Sequence, residues 1–292
     1  MNLVEIFKKF PTQKKCIEHL EKIKWKDKPV CPYCSYLNNC PTKDGLRHHC
    51  NTCNNSFSVT IDTIFHQTHL PLQKWFLAIT LILNAKKGIS SRQLARDLEV
   101  NKDTAWRMQM QIRNAMVETP SLMSGLVEMD ETYIGGKKKR KKDDDESGQS
   151  GLKRGRGTNK TPVVGVIQRG GKVNAQIMHR LSFKDLKEAA ANNIDFDNAV
   201  LMTDDFTGYI PFKNLLPHHT VNHSRKEYAK GIIHTNTIES FWAILKRGIT
   251  GQYHHLSNKY LNRYIQEFCF RYNNRKNPDV FGIVISNALA PL

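Results

Sequence analysis

Apolar and polar residues follow different patterns along the chain, and each pattern predicts a different element. Residues 75–83 are almost continuously apolar but fall short of the roughly 20 residues of a membrane span, so we predict a buried helix there. Leu94, Ala95 and Leu98 recur at helical spacing and predict an amphipathic helix. The region 71–118 is therefore expected to be helical.

From residue 125 onward, strand-like and helix-like segments alternate. Side chains alternate in character over 126–133 and predict a strand, and two further strands are predicted on either side of Gly170-Gly171, a dipeptide typical of hairpins. We predict a helix over 182–193 with Ser182 as its cap, then a short buried strand over 199–203 that ends at Asp204-Asp205. After a strand near Thr220, a helix is predicted to begin at Asn236. This succession is typical of a layered α/β domain.

These patterns divide the chain into three expected domains: a cysteine-bearing segment at 1–70, a helical region at 71–120 and an α/β domain at 121–292. The last of these contains an insertion at 137–160, where lysines and arginines precede acidic residues and then a Gly- and Ser-rich stretch. Such a composition buries too little apolar surface to offset its ordering entropy. We expect either a mobile loop that becomes ordered against DNA or a loop that is simply solvated.

The charge balance favours a polyanionic partner. Lys and Arg number 44 against 27 Asp and Glu, which gives a net charge of +17. Nucleic acid is the commonest polyanion that such a protein meets. No apolar run has the length of a membrane span, and residues 1–11 lack the apolar core of a signal peptide. We therefore expect a cytoplasmic protein without a membrane partner.

Two Cys-x-x-Cys pairs have the spacing of a four-cysteine zinc site, with positions 35–49 between them. Each pair offers two thiolates from one tight turn, and Zn²⁺ prefers four such ligands in a tetrahedron. Four cysteines leave no open coordination position, so the predicted zinc is structural. His48, His49 and Cys40 remain alternative ligands, whereas Cys16 and Cys269, with Cys40, are expected to be free thiols. The predicted ligands are Cys31, Cys34, Cys50 and Cys53.

Residues 88–114 have the pattern of a helix-turn-helix. Ser90 or Ser91 is expected to cap the first helix, and Asn101 or Asp103 the second. The second helix of this motif enters the DNA major groove. Three of its basic residues are expected to face phosphates or bases: Lys102, Arg107 and Arg113. The alternative is a helical hairpin without a DNA role.

Three carboxylates are candidates for a metal site. Asp130 lies within a predicted strand, where aspartate is disfavoured, and Asp204 ends another strand. Glu239 lies in the first turn of a helix. Carboxylates at one sheet edge are typical Mg²⁺ ligands, and two ions about 4 Å apart support phosphodiester transfer. Lys246 lies two turns after Glu239 and is a candidate for gripping a phosphate.

Each candidate also has a simpler interpretation. Asp204 or Asp205 can cap the turn that follows, and spacing alone does not say which one binds metal. Glu239 fits a capping box with Asn236 at the cap, which would restrict its freedom to bind metal. Lys246 fits an ordinary surface lysine.

At these residues the chain resembles a known family, the ISXO-type transposases of bacterial insertion sequences. The resemblance covers almost the whole chain and is carried by four stretches: 129–137, 161–165, 221–224 and 234–248. It implies an RNase H-like mixed-sheet fold preceded by a zinc ribbon and a helix-turn-helix. It also implies that Asp130, Asp204 and Glu239 are the three acids of a DDE active site with two Mg²⁺ or Mn²⁺ ions, and that Lys246 is the family's trailing lysine. Some relatives carry Asn at the position of Glu239.

The implied activity is DNA transposition. Metal-activated water would cut a phosphodiester at the element's terminal inverted repeats, and the freed 3′-hydroxyl would attack target DNA. A homo-oligomer is expected because two ends must be held together, and a cytoplasmic, nucleoid-associated location follows. Two alternatives remain open: a domesticated, non-catalytic DNA-binding regulator and a simple metal-dependent nuclease.

Overall fold

The structure, a computed structural model, describes residues 1–26, 28–135, 160–221, 233–254 and 256–291. The expected insertion at 137–160 lies outside these ranges apart from Lys160, and so does most of the stretch at 221–224. Two compact units are present: unit 1 comprises residues 1–117 and 276–292, and unit 2 comprises residues 118–275. Within the described ranges, every helix is too short or too polar to cross a lipid bilayer.

Unit 1 is helical apart from a small antiparallel sheet. Its helices are α1 (Leu3–Lys9), α2 (Gln13–Trp25), α3 (Leu72–Asn84), α4 (Ser91–Leu98), α5 (Lys102–Asn114) and α9 (Val280–Ala288). The strands β1 (Asn39–Pro41), β2 (His48–Cys50) and β3 (Ser56–Phe57) form the sheet in that order. The buried helix predicted at 75–83 is confirmed as part of α3.

The end of the chain belongs to unit 1. Phe281 of α9 lies 5.6 Å from the ring of Phe76 in α3 and 6.1 Å from that of Phe10, all three being buried. Burying such aromatic rings together is strongly favourable. The expected domain 121–292 therefore extends too far, because residues 276–292 pack with the N-terminal helices. The expected segments 1–70 and 71–120 likewise lie in one compact unit.

Unit 2 contains a five-stranded mixed sheet with the order β6-β5-β4-β7-β8. Its strands are β4 (Met123–Ile134), β5 (Thr161–Gln168), β6 (Val173–Ile177), β7 (Ile194–Asp204) and β8 (His218–Val221). The first three strands along the chain pair antiparallel, whereas β4, β7 and β8 are parallel. This order is the RNase H-like arrangement that the resemblance implied, so the expected α/β fold is confirmed.

Helices cover both faces of the sheet. The elements are α6 (Phe183–Ala191), a 3₁₀ helix (Thr207–Asn214), α7 (Asn236–Gly248), a π-helical turn (Ile249–Tyr253) and α8 (Asn258–Asn273). One apolar core joins Val127 and Met129 of β4 to α6 and the 3₁₀ helix. The other joins Ile134 and β5 to α7 and α8. The predicted cap at Ser182 is confirmed, since its hydroxyl accepts the amide of Asp185 at 3.3 Å.

A glycine in β5 allows α7 to lie close to the sheet. Gly165 pairs with Asp130 across β4 and β5, and a β-carbon at this glycine would lie 2.6 Å from two ring atoms of Trp242. No real β-carbon is tolerated at that distance, so only glycine lets the indole rest on the sheet beside Asp130.

We therefore predict that Gly165→Ala lowers the free energy of unfolding by about 1–3 kcal/mol, because overpacking must displace the Trp242 ring. Gly251→Ala is the matched control. Its added methyl group meets no atom within 4 Å, and we expect a change below about 1 kcal/mol. Denaturant unfolding of both variants measures the difference, and equal stabilities would contradict the proposed close approach.

Candidate active site

Adjacent parallel strands bring two of the predicted acids together. Glu128 of β4 pairs with Met202 of β7 in parallel register. Two residues further along both strands, the same register places Asp130 opposite Asp204. Together with Glu131, these two acids each offer a carboxylate oxygen within 4.8 Å of the others. Three hard oxygen ligands at that separation suit a divalent cation such as Mg²⁺ or Mn²⁺.

The environment of Asp130 disfavours its charged form. Burial, followed by the negative charges of Glu131 and Asp204, raises the pKa of Asp130 to about 7. The indole N–H of Trp242 donates to its Oδ2 atom at 3.0 Å and fixes the carboxylate orientation. Crowded carboxylates of this kind repel one another until a cation neutralises them, so the electrostatics of the site favour metal binding.

Glu131 is a residue that the sequence analysis left without a role. Strand alternation predicts that it points away from Asp130, onto the opposite face of the sheet. Its carboxylate nevertheless lies within 4.8 Å of those of Asp130 and Asp204, and the hydroxyl of Tyr209 donates to its Oε2 atom at 2.9 Å. Burial and the nearby carboxylates raise the pKa of Tyr209 well above its ordinary value, so the phenol keeps its proton and remains a donor. The sequence offered one indication that Glu131 belongs to the site, namely its position directly after Asp130.

Glu239 and Lys246 line the same open cleft as the three acids, together with Thr132, Trp242 and Ala243. Among the described residues, however, the carboxylates that lie within 4.8 Å of one another do not include that of Glu239. Its Oε1 atom accepts a hydrogen bond from the hydroxyl of Thr235 at 2.9 Å. The cleft therefore contains all four predicted side chains, with Glu239 set apart from the acidic cluster.

The structure does not contain the capping box with Asn236 at the cap, which was the simpler interpretation of Glu239. The cap of α7 is Thr235, which makes no side-chain bond to the helix amides, and its hydroxyl donates to the Glu239 carboxylate instead. The predicted start of the helix at Asn236 is confirmed.

The pair Asp204-Asp205 separates into two environments. Asp204 is half-buried, belongs to the acidic cluster and lines the cleft. Its Oδ1 atom also accepts the amide of Phe206 at 3.1 Å, so the turn-capping interpretation holds as well. Asp205 is exposed and is not one of the residues that line the cleft.

The four predicted zinc ligands meet in unit 1. The sulfurs of Cys31 and Cys53 are 3.6 Å apart, and those of Cys34 and Cys50 are 3.5 Å apart. Tetrahedral zinc with bonds of about 2.3 Å requires sulfur separations of about 3.8 Å, so the cluster fits the metal. Backbone N–H groups directed at the sulfurs lower the pKa of Cys53 and lower that of Cys50 to about 6, whereas the pKa of Cys34, which hydrogen-bonds with the other three thiols, is raised to about 12.

The alternative zinc ligands have other partners. His48 Nε2 lies 2.8 Å from a carboxylate oxygen of Glu21, and His49 Nδ1 lies 3.4 Å from the hydroxyl of Ser56. Cys40 is exposed, and its thiol lies 3.8 Å from the side-chain oxygen of Asn51. The spare thiols of Cys16 and Cys269 are buried, and burial raises the pKa of each to about 12, so both stay protonated.

The helix pair α4–α5 has the expected caps. Ser90 accepts the amide of Gln93 at 3.1 Å, and Asn101 accepts the amide of Thr104 at 2.7 Å. Glu99 adopts a left-handed conformation in the turn. The side chain of Gln109 donates to the carbonyl of Ile89 at 2.8 Å and ties α5 to the segment before α4.

The basic residues of α5 differ in exposure. Lys102 and Arg107 are exposed and available to DNA. The prediction for Arg113 is wrong, because its side chain is only 1% exposed. Helical spacing places it four residues after Gln109 and eight after Ala105, both buried, so it faces the interior of unit 1.

Comparisons with known proteins agree with these features. A family model described as ISXO2-like transposase domain matches residues 122–273. A protein of the Halobacterium salinarum transposable element ISH50 is 26% identical over 273 residues, which covers 90% of this chain and 92% of that protein.

Solved structures with lower similarity were also found. A chain of the Mos1 strand transfer complex is 13% identical, with a TM-score of 0.29 over 73% of this chain and 78% of that chain. A chain of the mariner Mos1 paired end complex with Mg is also 13% identical, with a TM-score of 0.29 over 72% of this chain and 77% of that chain.

The geometry of the cysteine cluster predicts that the purified protein contains about one zinc ion per chain, measured by elemental analysis. Cys50→Ser should lose most of this zinc and expose residues 28–60 to proteolysis, because a segment so small depends on the metal for its folding. Cys40→Ser removes a thiol from the same segment outside the cluster and should keep the zinc. Full zinc occupancy in Cys50→Ser would rule out the assigned ligand set.

Proposed function

This chain belongs to the ISXO2-like transposase family, and from that membership we propose that Asp130, Asp204 and Glu239 form its catalytic site. Members of this family are DNA transposases of insertion sequences, and this chain is one of them. The observation that carries the proposal is the cleft in unit 2, where Asp130 and Asp204 from adjacent parallel strands approach within 4.8 Å and Glu239 lines the same wall. The active site is thus assigned to residues from β4, β7 and α7.

The proposed cofactors are two Mg²⁺ or Mn²⁺ ions in this cleft. Bound there, the ions would activate the attacking oxygen and stabilise the leaving oxygen of a phosphodiester. Asp130 and Asp204 are the principal proposed ligands, and Glu239, which lines the same cleft, completes the set. Support comes from burial and the crowding of the carboxylates, which together raise the pKa of Asp130; a bound cation would relieve the repulsion between them.

The proposed reaction has two steps at the same cleft. A water molecule first cuts the DNA strand at an element end and leaves a 3′-hydroxyl. That hydroxyl then attacks a phosphodiester of the target DNA and displaces the 3′-oxygen of the target strand, so that the element end is joined to the target. Lys246 is exposed on the cleft wall, where its ammonium group is suited to hold a DNA phosphate during both steps.

DNA is the proposed partner of both units. The exposed Lys102 and Arg107 on α5 are proposed to contact the terminal inverted repeats, and the cleft is proposed to act on the element end and the target. The net charge of +17 supports this partner. A homo-oligomer is proposed because two element ends are joined to one target.

Asp204→Ala tests the catalytic assignment. We expect unchanged DNA binding and a loss of 3′-end cleavage of at least about 100-fold, because a metal ligand supplies several kcal/mol of charge stabilisation. The measurement is a gel assay on a DNA substrate that carries the element ends, with Mg²⁺ or Mn²⁺.

Asp205→Asn is the matched control, since it neutralises the neighbouring acid outside the cleft and should cleave normally. Cleavage by Asp204→Ala at the wild-type rate would refute the site. Joined products in the wild-type reaction separate a transposase from a simple nuclease, and binding without any cleavage would favour the non-catalytic regulator.

The double substitution Lys102→Ala and Arg107→Ala tests the DNA interface. Removing two phosphate contacts should weaken binding and reduce the slope of log affinity against log salt by about 1.8, or about 0.9 per contact. Fluorescence anisotropy across a salt series measures both quantities. Lys8→Ala removes one exposed charge from α1 and serves as the control. An unchanged salt slope in the double variant would exclude α5 from the interface.

A further inference from the structure

A fully buried carboxylate lies next to the cleft and does not line it. Glu128 in β4 is 0% exposed and precedes Asp130 by two residues on the same face of the strand. Its Oε1 atom accepts hydrogen bonds from Arg169 Nε at 2.6 Å and from the Thr237 hydroxyl at 2.8 Å. Its Oε2 atom accepts the backbone amide of Ile238 at 2.9 Å. Burying a carboxylate costs several kcal/mol unless its oxygens are satisfied, and here both are.

The first turn of α7 depends on this carboxylate. The first amides of a helix have no partner within the helix, and a side chain at the cap commonly accepts one of them. Thr235, at the cap of α7, does not do so. Glu128 takes that role from a strand more than 100 residues earlier, since it accepts the amide of Ile238. Its negative charge also suits the positive end of the helix dipole.

Arg169 extends the connection to the segment that leads into the helix. Besides its bond to Glu128, its Nη2 atom donates to the backbone carbonyl of His234 at 2.7 Å and lies 3.1 Å from the ring Nδ1 atom of the same residue. The guanidinium therefore holds the strand carboxylate and the chain just before α7 at once. A planar donor with several N–H groups is suited to such a double contact.

We propose that Glu128 and Arg169 are positioning residues, which fix the position of Glu239 relative to Asp130 across the cleft. The inference rests on the proposed function of those two acids. Asp130 is two residues beyond Glu128 on the strand, and Glu239 directly follows Ile238 on the helix. A shift of the first turn of α7 moves Glu239 relative to Asp130, whose carboxylate is also held by Trp242 of the same helix. Groups that orient metal ligands typically change metal affinity 10- to 100-fold when they are replaced.

A second buried ion pair in unit 2 provides a matched control. Glu267 is 0% exposed and Arg271 is 12% exposed, and the two pair within α8. Their chemistry resembles that of Glu128 and Arg169, but both residues belong to one helix and neither lines the cleft. Loss of this pair is expected to lower stability without moving Glu239.

The experiment compares Glu128→Gln, Arg169→Lys and Glu267→Gln in the full chain. For each variant we measure thermal unfolding, DNA binding and the Mn²⁺ concentration that gives half-maximal cleavage. We expect Glu128→Gln to raise that concentration at least about 10-fold, because an amide cannot accept both the guanidinium and the helix amide. Arg169→Lys keeps the charge but loses the double contact, and should give a smaller rise in the same direction.

Glu267→Gln should lower the unfolding temperature and leave the Mn²⁺ dependence unchanged. The proposal is overturned if folded Glu128→Gln or Arg169→Lys shows the same Mn²⁺ dependence as Glu267→Gln. If Glu128→Gln does not fold, the Mn²⁺ dependence of Arg169→Lys, compared with that of Glu267→Gln, decides whether the proposal holds. Wild-type cleavage by Asp204→Ala would instead refute the proposed function, so the two failures are distinguishable.

Discussion

Parallel pairing between β4 and β7 brings like charges together at the centre of unit 2. The register that pairs Glu128 with Met202 leads to Asp130 and Asp204, and Glu131 joins them at a separation within 4.8 Å. Three carboxylates in so small a space repel one another, and burial together with this repulsion raises the pKa of Asp130. The surrounding structure must therefore hold the acids against their repulsion. Neutral donors from Trp242 and Tyr209 do so on opposite faces of the sheet.

Local patterns were sufficient to predict most of the elements. Helical spacing, the cap at Ser182 and the hairpin glycines all act over a few residues, so they can be recognised along the chain. The zinc site was predicted for the same reason, because two short knuckles specify four ligands without a large core. Asp130 became a candidate because aspartate within a strand needs a reason other than propensity, and Asp204 became one because it ends a second strand of the sheet.

The incorrect predictions concern contacts between distant parts of the chain. The simpler interpretation placed the cap of α7 at Asn236 because the local pattern fits, but the amide of Ile238 donates to Glu128, 110 residues away. Arg113 was assigned to DNA because charged side chains are mostly exposed, yet its position on α5 falls on the buried stripe. The boundary at the end of the catalytic domain missed the packing of Phe281 with Phe76. Helical periodicity could have indicated the burial of Arg113, but neither periodicity nor composition carries information about the distant partners in the other two cases.

Glu128 and Asp130 show how two acids on the same face of one strand acquire different roles. The carboxylate of Glu128 meets a guanidinium, a hydroxyl and a helix amide, so its charge is compensated within the protein. The carboxylate of Asp130 meets an indole N–H and two other carboxylates, so its charge is not compensated in the same way. A metal ion would stabilise a compensated carboxylate little, whereas it would strongly stabilise a carboxylate that is crowded by other negative charges. The different surroundings therefore make Glu128 suited to fixing the helix, and they make Asp130 suited to binding a cation.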